Sequence, residues 1–119
     1  MSFLMERITS YREFWPFYLS EHAKPLTRAW HMAGTATAIM LGVAAVSGAS
    51  IGLLLAAAIA GYGPAWATHF LIEKNRPATF RYPVWSFISD LRMLVVWLAG
   101  GLSRELEKAE IRSAQGKPK

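Results

Sequence analysis

Between Arg28 and Glu73 the chain carries no Asp, Glu, Lys or Arg, which leaves 44 consecutive positions, 29 to 72, without a formal charge. A helix that crosses a bilayer needs about 20 apolar residues, so this stretch has the length of two crossings and a tight turn. Ser47-Gly48-Ala49-Ser50 supplies the turn, with Met40-Leu41-Gly42-Val43-Ala44-Ala45-Val46 before it and Ile51-Gly52-Leu53-Leu54-Leu55 after it. The alternative is a soluble hairpin buried in an oligomer. A fold of 119 residues has little surface with which to cover two charge-free helices. The sequence therefore predicts an all-α, small helical membrane protein, a single membrane domain over residues 1–119. Its expected parts are an N-terminal amphipathic helix over 2–21, a transmembrane helical hairpin with spans 26–47 and 50–73, a C-terminal helix over 84–112 that is interfacial or partly inserted, and a frayed tail over 113–119.

The flanking segments fit this frame. Phe3, Leu4, Ile8, Tyr11, Trp15 and Tyr18 recur at helical spacing near the N-terminus, with Pro16 as an interruption. Glu6, Arg7, Arg12 and Glu13 fall where a signal peptide would need an apolar core, so the first span is expected to be retained. Pro25 marks a helix boundary. Gly34, Ala38 and Gly42 in the first span, and Gly48, Gly52, Ala56 and Ala60 in the second, are small residues four apart. They predict close packing of the two helices. Gly61-Tyr62-Gly63-Pro64 predicts a break that opens space beside Trp66 and His69. Asp90 and Arg92 interrupt the third apolar stretch and leave it too short to span.

Charge narrows function. The balance is +5, and cysteine is absent, which excludes disulfides, thiolate metal sites and a cysteine nucleophile. Arg7, Arg12, Lys24 and Arg28 precede the hairpin, Lys74, Arg76 and Arg81 follow it, and its turn carries no charge. This bias predicts an integral membrane protein with both hairpin ends cytoplasmic. The membrane would be the inner or cytoplasmic one in a bacterium and the endoplasmic reticulum in a eukaryote. Basic residues committed to topology and to anionic headgroups leave no face for nucleic acid. A homo-oligomer is compatible with this reading.

The three histidines are His22, His31 and His69. His31 follows Arg28 by about 4.5 Å of helix and His69 precedes Glu73 by about 6 Å. Both thus lie just inside the same membrane face, with His22 in the connector at that face. Three imidazoles from three elements can meet at one depth. Imidazole suits Fe, Zn, Cu and Ni, and three ligands leave positions open for substrate. Glu73, four residues after His69 on the same helix face, is a candidate ligand or partner of that ring, and Glu21 and Asp90 are further carboxylates. No phosphate loop or serine-nucleophile motif is present, and Ser86 and Ser89 read as ordinary helix positions.

Two blocks carry a family resemblance. One is Phe17-Tyr18-Leu19-Ser20-Glu21-His22-Ala23-Lys24-Pro25 with Thr27-Arg28-Ala29-Trp30-His31. The other is His69-Phe70-Leu71-Ile72-Glu73-Lys74-Asn75-Arg76-Pro77-Ala78-Thr79-Phe80, continuing through Tyr82-Pro83-Val84-Trp85-Ser86 to Asp90 and Met93. Together they resemble the small membrane proteins related to the fungal 2-hydroxy-fatty-acid dioxygenase of fatty-acid α-oxidation. The resemblance implies an Fe(II)-dependent enzyme that takes a long-chain 2-hydroxy fatty acid and O₂ and yields the acid one carbon shorter. It also implies that His22, His31 and His69 hold the iron. Alongside it, Lys74 and Arg76 at headgroup level are expected to steer the substrate carboxylate, and Glu73 to assist at the metal. The competing expectations are a haem-binding protein with His31 and His69 as axial ligands and a non-catalytic lipid-binding protein.

Overall fold

The structure, a computed structural model, describes residues 7–116. Its order is α1 (Tyr11–Ser20), α2 (Pro25–Gly48), α3 (Ile51–Thr68) running into one turn of π-helix (His69–Glu73), a short 3₁₀ turn (Ala78–Phe80), α4 (Pro83–Leu98) and α5 (Leu102–Gly116). No strand occurs among the described residues.

α2 and α3 form the hairpin. Pro25 occupies the first turn of α2, where its missing N–H costs nothing. Ala49 ends that helix in the left-handed conformation at φ 50°, and the Ser50 N–H reaches back to the carbonyl of Ala45 at 2.9 Å. Ser50 then caps α3 by accepting from the Leu53 N–H at 3.1 Å. With 24 residues, α2 is about 36 Å long, and a hydrocarbon core is about 30 Å thick. Only 28% of the apolar window of α2 and 17% of that of α3 are buried, the opposite of core helices in a soluble fold. Met40, Val43, Val46, Ile51, Leu55 and Ile59 all face outward. The hairpin is long and apolar enough to cross a membrane, and its apolar surface is left uncovered within the chain.

The helices approach most closely at one end only. A Cβ placed on Gly34 would stand 2.6 Å from the Ala60 carbonyl oxygen, and one on Gly61 would stand 3.3 Å from the Ala38 Cβ. Gly42 and Gly48 meet nothing within 4 Å, and Gly52 meets only Ser50. Of the glycines in the small-residue ridge expected along the hairpin, Gly34 alone makes a close approach, against Ala60, and Gly61 meets Ala38 beside it. The expected break at Gly61–Pro64 is also absent, since α3 runs unbroken through both. Pro64 deprives the Ala60 carbonyl of its helical N–H. That carbonyl is the atom against which glycine 34 packs. The helix geometry changes later, at His69.

α1, α4 and α5 form a head at the base of the hairpin. Phe14, Trp15, Tyr18, Leu19, Tyr82, Met93, Leu94 and Leu102 make its core. Tyr11 and Ser89 share a hydrogen bond of 2.9 Å, and the Trp15 indole N–H donates to Glu105 at 2.9 Å. The expected N-terminal helix is shorter than 2–21. Residues 2–6 lie outside the described ones, 7–10 are not helical, and α1 starts where Ser10 accepts from the Glu13 N–H. Pro16 is held within α1 without ending it. The expected single helix over 84–112 is two helices. Gly100, at φ +83°, and Gly101 turn the chain, so α5 folds back onto α1. Of the tail expected to fray, residues 113–116 are helical and 117–119 lie outside the described ones. With 16 residues, α4 is too short to cross a membrane. One face carries exposed Val84, Phe87, Ile88, Val95 and Leu98, and the opposite face buries Ser86, Ser89 and Met93. α4 is therefore amphipathic, with its apolar face uncovered within the chain.

Candidate metal centre

His22 follows α1 by two residues. Its position is fixed from both sides. Arg28, one turn into α2, donates to the carbonyls of His22 at 2.8 Å and Ala23 at 3.0 Å, and the Lys24 N–H donates to Glu73 Oε2 at 2.8 Å. Glu73 thus ties the connector to the far end of the hairpin, and its carboxylate does not join the histidines. His31 lies on the inner face of α2. His69 is the first residue of the π-helical turn, whose extra residue per turn re-aims the side chain. Lys74 closes that turn at φ 64°, and the Asn75 N–H returns to the His69 carbonyl at 2.9 Å.

These elements bring the three predicted histidines together. All are buried, and one ring nitrogen of each lies within 4.8 Å of the others. The closest pair is His22 Nε2 and His69 Nε2, at 3.0 Å. In this pair the other nitrogen of each ring is engaged. His22 Nδ1–H donates to the Tyr18 carbonyl at 2.7 Å, and His69 Nδ1–H donates to Asn75 Oδ1 at 2.7 Å. The Asn75 amide is oriented by its own N–H, which donates to the Glu21 carbonyl at 3.3 Å. A neutral imidazole that donates from Nδ1 has a bare lone pair at Nε2. Burial, reinforced by His31 and His69, holds His22 well below the ordinary imidazole range and so keeps it neutral. Two lone pairs thus face each other with no proton between them. A cation there would relieve the repulsion. Two imidazole nitrogens that share one ion at about 2.1 Å each stand at most about 4.2 Å apart, and this pair lies within that limit. The donor set therefore fits a first-row metal ion.

His31 Nδ1 has no hydrogen-bond partner and stands 3.7 Å from Asp90 Oδ1, which accepts from the Tyr18 hydroxyl at 2.6 Å. Burial pushes the Asp90 carboxyl up to about 7, against the opposing effect of the Tyr18 hydrogen bond. Glu21 is likewise pushed up to about 7, by burial and then by Glu73.

The histidines border a cavity of about 20 Å³, with Tyr18, Tyr62, Trp66, Thr79, Ser86 and Asp90 among its other walls. That is room for one ion or one water. Neither Lys74 nor Arg76 lines it, and both are exposed.

The Mpo1-like family, described as 2-hydroxy-palmitic acid dioxygenase Mpo1-like, matches residues 8–102. The chain belongs to this family. Its match begins before α1 and ends at the start of α5, so it covers every element that contributes to the histidine cluster. No curated protein and no solved structure matches the chain. The family's name points to a dioxygenase acting on a hydroxylated fatty acid, in keeping with a buried three-histidine cluster at the base of an apolar hairpin.

Sequence reasoning passed over Asn75 and the Tyr18 carbonyl, the two groups that set the tautomers. It also took Ser86 for an ordinary helix position, whereas its buried hydroxyl lines the cavity. Ser86 and Asp90, four apart on α4, share the face turned to the site. Polar residues at helical spacing on a face that also carries Met93 were the available signal.

Proposed function

We propose that the protein is an Fe(II)-dependent dioxygenase that converts a long-chain 2-hydroxy fatty acid and O₂ to the fatty acid one carbon shorter. The observation that carries this reading is the opposed Nε2 pair of His22 and His69, at 3.0 Å in a buried site. The stoichiometry closes without a further reductant. As C2 becomes the new carboxyl and C1 leaves as carbon dioxide, four electrons pass to one O₂, and one water forms.

His22, His31 and His69 would hold the metal, which when bound supplies Lewis-acid and redox chemistry toward O₂. The protein's own contribution is positional. The Tyr18 carbonyl and Asn75 hold protons on the Nδ1 atoms of His22 and His69, so that both Nε2 atoms stay available. Asp90 stands where it can orient His31. Glu73 acts on the site through the Lys24 N–H, as a positioning residue.

Tyr62 and Trp66 are the walls of the cavity that are exposed at the surface, the place for an opening, and the Phe80 ring stands 5.1 Å from that of Trp66, edge to face. The acyl chain leaves through this aromatic opening into the bilayer. The substrate's polar head is larger than the present cavity, so binding displaces Trp66 or Tyr62. Lys74 and Arg76 attract the carboxylate as it arrives from the headgroup layer. Both hairpin ends lie in the cytoplasm, with the centre just inside that face. His22 Nε2 stands 3.0 Å from His69 Nε2, on the side a haem iron would have to occupy, which disfavours the haem alternative.

The test is O₂ uptake by detergent-purified protein loaded anaerobically with Fe²⁺, on addition of 2-hydroxypalmitate. Uptake that yields pentadecanoate and is lost in His69→Ala is the expected result. Iron bound without uptake rejects this substrate, and absence of iron binding rejects the metal centre.

A further inference from the structure

Among the described residues five serine and threonine side chains are buried: Thr27, Thr35, Thr68, Ser86 and Ser89. Three are satisfied. Thr35 donates back to the His31 carbonyl and Thr68 to that of Ala65, each at 2.9 Å, and Ser89 pairs with Tyr11. Thr27 and Ser86 have no hydrogen-bond partner, and of these two only Ser86 lines the histidine cavity. Its backbone N–H is used normally, reaching the Tyr82 carbonyl at 2.8 Å. The hydroxyl could have folded back onto its own helix, as Thr35 and Thr68 do. Instead it is 3% exposed and unpaired beside the three imidazoles. A buried hydroxyl without a partner destabilises the fold. Such a cost at a candidate site marks a place where a ligand supplies the missing partner.

Two features say which ligand group that is. A hydroxyl both donates and accepts, so it pairs equally well with another hydroxyl. Asp90, one turn further along the same face of α4, also lines the cavity. A substrate carboxylate placed against this wall would meet a second carboxyl group, whereas a substrate hydroxyl would not.

We infer that Ser86 is a specificity residue that hydrogen-bonds the 2-hydroxyl of the fatty acid and so distinguishes 2-hydroxy acids from unsubstituted ones. This rests on the substrate class proposed above. Sites built to bond a substrate hydroxyl reject the analogue that lacks it, because their own polar group is then left unpaired.

The experiment compares wild type and Ser86→Ala, each loaded with Fe²⁺ and kept anaerobic so that no turnover occurs. Binding of 2-hydroxypalmitate and of palmitate is measured by calorimetry, with iron affinity and melting temperature alongside. Wild type is expected to prefer the 2-hydroxy acid. Ser86→Ala is expected to reduce that preference about tenfold through weaker binding of the 2-hydroxy acid alone. Its iron affinity is expected to be unchanged and its melting temperature equal or higher. A merely structural serine would lower the melting temperature and leave the preference intact, which overturns the inference. Equal weakening of both acids also overturns it, because the contact is then to the carboxylate. A wild-type protein with no preference overturns it outright. Wild type that takes up no O₂ yet prefers the 2-hydroxy acid, with the preference lost in Ser86→Ala, removes the dioxygenase reading and leaves the Ser86 assignment standing.

Discussion

His69 Nδ1 donates to the side-chain oxygen of Asn75 at 2.7 Å, across one π-helical turn closed by a left-handed lysine. The bond decides which nitrogen of His69 faces His22. Groups that orient a metal-ligating imidazole are worth about 10–100-fold in metal affinity. Asn75→Ala is therefore expected to weaken Fe²⁺ binding by that factor. Asn75→Asp, which keeps the acceptor, should lose far less. Anaerobic Fe²⁺ titration of the three proteins checks this, and equal affinities would remove Asn75 from the centre.

Gly34 is predicted to be irreplaceable even by alanine. Its added Cβ would meet a backbone oxygen, that of Ala60, at 2.6 Å, and backbone cannot swing aside as a side chain can. Overpacking of this kind costs about 1–3 kcal/mol. His31 sits three residues earlier on the same helix, so iron binding should fall together with stability. Gly42→Ala is the control, because nothing lies within 4 Å there. Thermal unfolding in detergent should separate the two variants clearly.

Lys74 holds φ at 64°, a conformation that costs a non-glycine residue about 1 kcal/mol. Lys74→Gly should raise stability by roughly that amount while raising the KM for a 2-hydroxy acid, since the cation is lost. Lys74→Arg should leave KM near the wild-type value. Stability gained with KM unchanged would reduce Lys74 to a backbone role.

The Trp15 indole N–H holds the Glu105 carboxyl below its usual 4.5, against the opposing effect of burial, and the Lys108 and Arg92 charges add to the lowering. A carboxyl whose folded pKa is depressed contributes stability above its unfolded pKa and loses it as pH falls through the folded value. The wild-type head should therefore lose stability as pH drops below about 4.5. Glu105→Gln, whose amide oxygen still accepts from Trp15, should lose less over the same window. Melting temperatures of both proteins between about pH 3 and 6 test the sign.

Much of this molecule is readable before any coordinates. Arg28 and Glu73 bracket a charge-free stretch long enough for two apolar helices, and the position of the turn, within one residue, follows from the length between them. The common depth of His22, His31 and His69 follows from their spacing to those charges. The site around them was less legible. Glu73 sits at the right spacing to pair with His69, yet its carboxylate bonds the Lys24 N–H, a partner that only the docking of the α1–α2 connector supplies. Gly42 and Gly34 look alike in sequence, but only Gly34 meets the carbonyl that Pro64 leaves free.

The sequence by itself determined the two apolar helices, their turn and the level at which three imidazoles collect, since each follows from the one-dimensional spacing of charges and apolar residues. Tertiary structure alone decided that Tyr18, Asn75, Ser86 and Asp90 surround them. α4 reaches the site only because the head docks its polar inner face against the base of the hairpin, and Asn75 reaches His69 only because one extra residue is wound into the end of α3. Both depend on contacts between residues far apart in the chain or on a local departure from the helical period; residue spacing marks the polar face of α4 but not what that face docks against.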